Sequence, residues 1–422
     1  MKWHFKYNEN KPSYDEYNKL LEKINEKSKL FFALNNIFKN PYNYDDLVKY
    51  DKAKKKIVYE MFNDIIKCFS NIENIPCAIY LNGSYGRGSI TAKSDLDITI
   101  YFKKEDITKY QTLVYLIRYA MSKMINQNIV HVHSFTKNFT TKYRKENNLV
   151  VSDEELETTI EWNGTKEKLI INYPSNQMIP EREICEITSL KCMEDLETLI
   201  KNKLIKSKPK EWMYTHECIY KSDDSFDVNN LIRKLDSIYD EEMIKEKLML
   251  LKEEIFEIKN SIKDYFYSLN NNERIVLSDF NMYGKRRVFL LINTILIYLR
   301  WYYILNKRDV SETLNVIDML NDNNDLINED LLKNLKNNFY YYKYIISRLE
   351  IWTMEYKHYF SHRSREVINK EQLYNEYYHL WNNNYNPIDE QMRIFNRFDI
   401  IIDDILNECE KTFKPFVNTK KR

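Results

Sequence analysis

Two carboxylates stand one residue apart in SDLDITIYF (94–102), at Asp95 and Asp97, and Asp95 follows Ser84 by eleven positions. On a strand, residues i and i+2 share a face, so the two acids point together while Leu96 and Ile98 turn to the core. Carboxylates held side by side repel unless a cation lies between them. Mg2+, or Mn2+ in its place, suits that role, because such ions take one or two carboxylates plus the phosphates of a substrate. The expected chemistry is metal-assisted attack on a nucleoside triphosphate (NTP).

The second half of the candidate site is a glycine cluster. The chain has only five glycines, and Gly83, Gly86 and Gly88 fall within six residues. Glycine permits positive φ and close approach of the main chain to a ligand. A tight turn between strand and helix offers unpaired N–H groups to phosphate oxygens. Ser84 adds a hydroxyl, and Arg87 a cation within reach of a phosphate. Neither a DxD pair nor a Gly-Ser turn is specific alone. The ordered set of apolar strand, Gly-Ser, glycine-rich turn, spacer and DxD strand is.

These residues need elements to hold them. CAIYLNGS (77–84) reads as a strand ending in the turn, and SDLDITIYF as its alternating partner. Spaced apolar positions predict amphipathic helices over 14–38 and 44–70, and a further helix over 106–126. IVHVHSF (129–135) reads as a third strand, and 158–173 as a hairpin turning at Asn163-Gly164. From about residue 183 the chain reads almost wholly helical, most clearly over 229–268, 285–307, 328–356, 364–384 and 388–413.

The expected fold class is therefore α+β: a small mixed sheet with helices, followed by a mainly α-helical domain. The expected layout is an N-terminal helical segment (1–45), the domain carrying the candidate site (46–205), and a helical substrate-binding domain (206–422). With 422 residues, 43% hydrophobic and 30% charged, the chain is long enough for two or three globular cores. A net charge of +1 announces no global basic field for nucleic acid. Cys68, Cys77, Cys185, Cys192, Cys218 and Cys409 show no zinc-ligand spacing, and with no signal-like N-terminus a reducing, cytoplasmic setting is expected. The apolar stretch 288–305 is broken by Asn293 and Arg300, and reads as a buried helix rather than a membrane span.

LNGSYGRGSITAKSDLDITIYF (81–102) resembles the signature of the DNA polymerase β-like nucleotidyltransferase superfamily. More narrowly, GSYGRGS…SDLDI is similar to the nucleotidyltransferase domain of PII-uridylyltransferases and their relatives. VHVHSFT (130–136) and ICEITSLKCMEDLETLIKNKL (184–204) are weaker echoes of that family. The resemblance implies that Gly83 and Ser84 hold the triphosphate, that Gly86, Arg87 and Gly88 shape the loop, and that Asp95 and Asp97 bind catalytic metal. It also implies a third carboxylate, for which Glu161, Glu183 and Glu186 are candidates. In LIINYP (169–174), Asn172 stands where relatives that make cyclic dinucleotides carry an aspartate. A PII-uridylyltransferase normally continues into an HD phosphohydrolase domain. No His-Asp dyad is present here, so that full bifunctional role is not expected.

Other features carry weaker signals. Lys285, Arg286 and Arg287 follow Gly284 at an expected helix start, where cations oppose the helix dipole and an anion such as triphosphate would compensate. Surface solvation explains the same cluster. His358 and His362, spaced i, i+4, lack a third ligand and read as exposed helix residues. His131 and His133 read as a polar strand face. The 34 tyrosines fit interhelical packing better than base stacking.

The function expected from the sequence is transfer of NMP from an NTP to an acceptor hydroxyl. Two Mg2+ ions would bridge Asp95, Asp97 and the triphosphate, and pyrophosphate would leave. The acceptor is an unidentified macromolecule, a protein side chain being favoured and RNA possible, and no membrane partner is expected. Three alternatives stand beside it: a synthase making cyclic or linear oligonucleotides from NTPs alone, an RNA-terminal nucleotidyltransferase, and a degenerate nucleotide-binding module.

Overall fold

The computed structural model describes residues 14–70, 77–81, 83–92, 94, 98–102, 156–162, 165–171, 189–192, 217–227, 239–271, 274–308, 326–355, 367–369, 371 and 387–417. Helix α1 (Tyr14–Ala33) runs into a 3-10 segment, Leu34–Lys39, and α2 follows over Tyr44–Ser70. Strand β1 (Cys77–Leu81), the one-turn helix α3 (Gly83–Arg87) and β2 (Ile98–Phe102) come next. Then come β3 (Leu156–Trp162), β4 (Thr165–Ile171), β5 (Ser189–Cys192) and β6 (Glu217–Lys221), with a 3-10 turn at Asp224–Phe226. The rest is α4 (Glu241–Asn271), β7 (Arg274–Val276), α5 (Leu277–Leu305), α6 (Glu329–Glu355), β8 (Val367–Asn369) and α7 (Pro387–Val417).

Helix starts follow local chemistry. Asn43 accepts from the N–H groups of Asp45 and Asp46 at 2.9 and 3.3 Å, capping α2. Asn328 caps α6 by accepting from Asp330 N–H at 2.8 Å, and Asp240 caps α4 by accepting from Met243 N–H at 2.8 Å. Acidic residues fill the first turn of each, where the macrodipole favours negative charge.

The main sheet is mixed, in the order β5-β2-β1-β6. β1 pairs antiparallel with β2 and β6, and β5 adds parallel to β2. All five residues of β1 are buried, which explains its continuous apolar run CAIYL rather than an alternating one. Helix α2 covers one face: Lys55 pairs with Glu217 of β6, and Tyr59 donates to the same carboxylate at 2.6 Å. On the other face, the Tyr80 and Tyr101 rings meet edge-on at 5.7 Å. The Tyr80 hydroxyl donates to Phe226 O at 2.8 Å, fixing the turn after β6 against β1.

The helices beyond β6 pack on one another and on the N-terminal part. The buried Lys259 of α4 holds Asp399 at 2.7 Å and Asp403 at 2.5 Å on α7. Helix α5 supplies much of the core through Leu291, Ile295, Trp301 and Tyr302. Its segment Arg287–Leu305 is long and apolar enough to cross a bilayer, yet 78% of it is buried within the protein. Helix α6 contacts α2 and the 3-10 segment as well as α5 and α7. Cys68, Cys77, Cys218 and Cys409 are free thiols.

Several expectations need correction. Among the described residues after 183 there are four short strands, and β6 joins the main sheet from within the stretch expected to be helical. Such strands, three to five residues long, are too brief to display a period. Val367–Asn369, expected in a helix, pairs instead with Arg274–Val276. Helix α1 gives way to 3-10 geometry at Leu34, short of residue 38. The hairpin forms as expected, with Trp162 opposite Thr165. The expected helix 106–126 and strand 129–135 lie outside the described residues.

Candidate nucleotide site

Register places the site. Leu81, the last residue of β1, pairs with Ile98, the first of β2, so the exit of one strand lies beside the entrance of the other. Gly83 begins α3 two residues past Leu81, and Asp97 immediately precedes Ile98 in the chain. Asp95 and Asp97 themselves lie outside the described residues.

The glycine-rich segment is a single helical turn rather than an open loop. Tyr85 points inward, fully buried, and its ring stacks on Phe31 of α1 at 6.4 Å. Ser84 and Arg87, three apart and therefore neighbours on the helix surface, are half-buried. Ser84 Oγ and Arg87 Nε are shielded from water and make no hydrogen bond. Buried polar atoms normally find partners, so this pair is a place where a ligand oxygen would be accommodated. Gly86 is buried among its neighbours. Gly88, at φ 72°, terminates the turn. Ser89 N–H donates to Ser84 O at 2.8 Å and Gly88 N–H to Tyr85 O at 3.4 Å, the paired bonds of a Schellman cap that needs a left-handed residue.

Between Gly88 and β2 the chain makes a second, tighter turn. Ser94 N–H donates to Thr91 O at 3.2 Å, Thr91 N–H donates to Ser94 Oγ at 2.8 Å, and the two hydroxyls lie 3.0 Å apart. Thr91, Ala92 and Ser94 are buried. Behind this turn lies a buried charged cluster. Lys343 of α6 pairs with Asp51 of α2, while the Lys54 ammonium sits 3.5 Å from the Phe31 ring centre. Burial pushes the Asp51 carboxyl up, against the pull of Lys343. Burial likewise draws Lys343 down and Lys54 well down, opposed by Asp51 in both cases.

Glu161 lies on β3 opposite Lys166, in a two-stranded ribbon separate from the main sheet. Glu183, Glu186, Asn172, His131, His133, His358 and His362 lie outside the described residues. Lys285, Arg286 and Arg287 are not at a helix start, because α5 begins at Leu277 and continues through Gly284. Among the described residues, no group of three His, Cys, Asp or Glu side chains could hold a metal ion.

Sequence reasoning missed the partners of the second turn: Asn35, Tyr50, Ser347 and Glu350. Thr91 and Ser94 carried a local signal, two hydroxyls three residues apart just before the acids. Their distant partners carried none.

Residues 63–156 match the family model described as polymerase beta, nucleotidyltransferase. The match takes in the end of α2, β1, α3, both turns and β2, and it contains Gly83, Ser84, Gly86, Arg87, Gly88, Asp95 and Asp97. By this match residues 63–156 form a polymerase β-like nucleotidyltransferase domain, and the described residues beyond it are largely helical. Glu161 and Lys285 lie outside the matched stretch. No curated protein matches the chain.

Proposed function

We propose that the protein transfers NMP from an NTP to an acceptor hydroxyl, releasing pyrophosphate, at a site formed by Ser84, Arg87, Asp95 and Asp97. The observation that carries this reading is the Leu81–Ile98 pairing, which sets the Gly83-Ser84 turn and the chain entering β2 at one end of the sheet. The family match to residues 63–156 supports it.

In this reading Ser84 Oγ and Arg87 bind phosphate oxygens, answering the two buried atoms that lack partners. Asp95 and Asp97 hold Mg2+ or Mn2+. Their oxygen-only donor set suits a hard cation. When bound, such a cation neutralises the triphosphate and lowers the pKa of the acceptor hydroxyl. Glu161 and Lys285 have weaker claims, as third carboxylate and as triphosphate contact. The helical part selects the acceptor. The narrower likeness to PII-uridylyltransferases makes UTP and a protein hydroxyl the first pair to try, and a reducing cytoplasmic setting accords with the free thiols.

The test is incubation with each α-labelled NTP and Mg2+ or Mn2+, with and without cell lysate, for the wild type and Asp95→Ala/Asp97→Ala. Metal-dependent pyrophosphate release that the double variant lacks is the expected result. Label found in protein, RNA or a small product then names the acceptor class. Absence of pyrophosphate release under every condition would overturn the reading in favour of a binding module.

A further inference from the structure

Every backbone polar group of Thr91 and Ala92 is engaged, and most of the partners come from far away in sequence. Thr91 N–H and O are bonded within the turn, and Thr91 O also lies 3.4 Å from the Tyr50 hydroxyl of α2. Ala92 O accepts from Asn35 Nδ2 at 3.2 Å, and Tyr50 donates to Asn35 Oδ1 at 3.0 Å. Ala92 N–H donates to Ser347 Oγ of α6 at 3.2 Å. The Thr91 hydroxyl donates to Glu350 Oε1, one helical turn along the same face of α6, at 3.1 Å. The direction of these bonds is consistent: with Thr91 donating to the carboxylate, the Ser94 hydroxyl is left to donate to Thr91. Asn35, Tyr50, Ser347 and Glu350 are themselves buried, so the bonds are shielded from water.

The turn ends at Ser94, and the next residue is Asp95. We propose that Ser347 and Glu350 are positioning residues for the metal-binding carboxylates, with α6 clamping the Thr91–Ser94 turn that leads to Asp95 and Asp97 in the chain; this inference rests on the function proposed above. A pair of carboxylates binds a cation tightly only if the backbone bearing it is held to a fraction of an ångström. The two strand ends alone fix Ile98 but leave the approach from Gly88 to be defined. The clamp from α6, together with Asn35 and Tyr50, defines it. The helical part of the chain therefore acts on the reaction centre as well as on the acceptor.

The test is Mn2+ binding in the presence of a non-hydrolysable NTP analogue, followed by electron paramagnetic resonance, on the full-length chain. Ser347→Ala and Glu350→Ala are expected to weaken Mn2+ binding by about tenfold, the scale seen when groups supporting metal ligands are removed. Glu350→Gln, whose amide oxygen still accepts from Thr91, should recover most of the affinity. Tyr344→Phe is the control. It removes a hydroxyl of the same helix that donates to Asn40 O at 2.6 Å and accepts from Arg348 at 2.7 Å, neither partner belonging to the turn, and binding should stay at the wild-type level. Wild-type Mn2+ affinity in folded Ser347→Ala and Glu350→Ala would overturn the clamp while leaving the proposed function intact. Equal weakening in Tyr344→Phe would also overturn it, by showing a general loosening of α6. A wild-type protein that binds no Mn2+ would overturn both readings together.

Discussion

Lys343 of α6 and Asp51 of α2 form an ion pair inside the contact between the helical part and the N-terminal helices, with the Lys343 side chain wholly removed from solvent. A buried pair contributes little net stability, but breaking it strands a charge in a poor solvent. Lys343→Met should therefore cost about 3–5 kcal/mol at neutral pH. Burial already pushes the Asp51 carboxyl up, and loss of Lys343 removes the opposing pull. The cost should accordingly shrink as the pH is lowered and Asp51 takes a proton. Asp51→Asn/Lys343→Met should regain part of the loss. Urea unfolding at neutral and acidic pH measures this, and a single variant within about 1 kcal/mol of wild type would contradict it.

Gly88 adopts φ 72° at the end of α3, where the Schellman bonds from Gly88 and Ser89 close the turn. A β-carbon there meets the carbonyl oxygen, so Gly88→Ala should destabilise by about 1–2 kcal/mol. Gly88→Asn should cost less, because asparagine visits the left-handed region more readily. Denaturant midpoints of the two variants give the comparison. Equal midpoints for Ala and Asn would count against the argument.

What was legible in the sequence, and what was not, divides along chain distance. CAIYL announced a strand, and the spaced apolar positions over 44–70 announced α2. The glycine cluster announced a special backbone, realised at Gly88. Ser84 and Arg87 were singled out by residue type, and each has a buried polar atom that makes no hydrogen bond. Ser347 and Glu350 could not be found, since each sits more than 250 positions from the turn it grips. On α6 they look like any polar residues of an amphipathic helix. Gly284 misled, because a glycine inside a long helix reads locally as a break, and Lys285 was misplaced with it. Glu217–Lys221 was hidden by brevity: it is a strand because β1 offers it an edge, a fact that no local pattern contains.

Tyr80 ties β1 to the turn after β6 through its hydroxyl, which donates to Phe226 O from a fully buried position. Tyr80→Phe keeps the ring against Tyr101 but removes one hydrogen bond to a buried carbonyl. A loss of about 1–3 kcal/mol is expected. Hydrogen exchange should show the loosening concentrated in Glu217–Phe226, whereas a uniform change across the chain would argue that the bond is not a local tie.

Cys77 opens β1 and is almost completely buried, and burial alone pushes its thiol up to about 12. Above pH 9 the unfolded chain releases this proton while the folded chain keeps it. The unfolded state then binds fewer protons, so stability must fall as pH rises. The contribution is intact below pH 9 and is lost on the way to pH 12, reaching about 4 kcal/mol at the upper end. Cys77→Ala should lower stability at neutral pH by leaving a small void, yet lose less between pH 9 and 12 than the wild type does. Other groups that titrate in this range, such as Cys68 at about 11 and Tyr42 at about 12, are common to both proteins and cancel in the comparison. Urea unfolding of both proteins across that range decides it, and parallel stability curves would show that β1 does not keep its first residue dry.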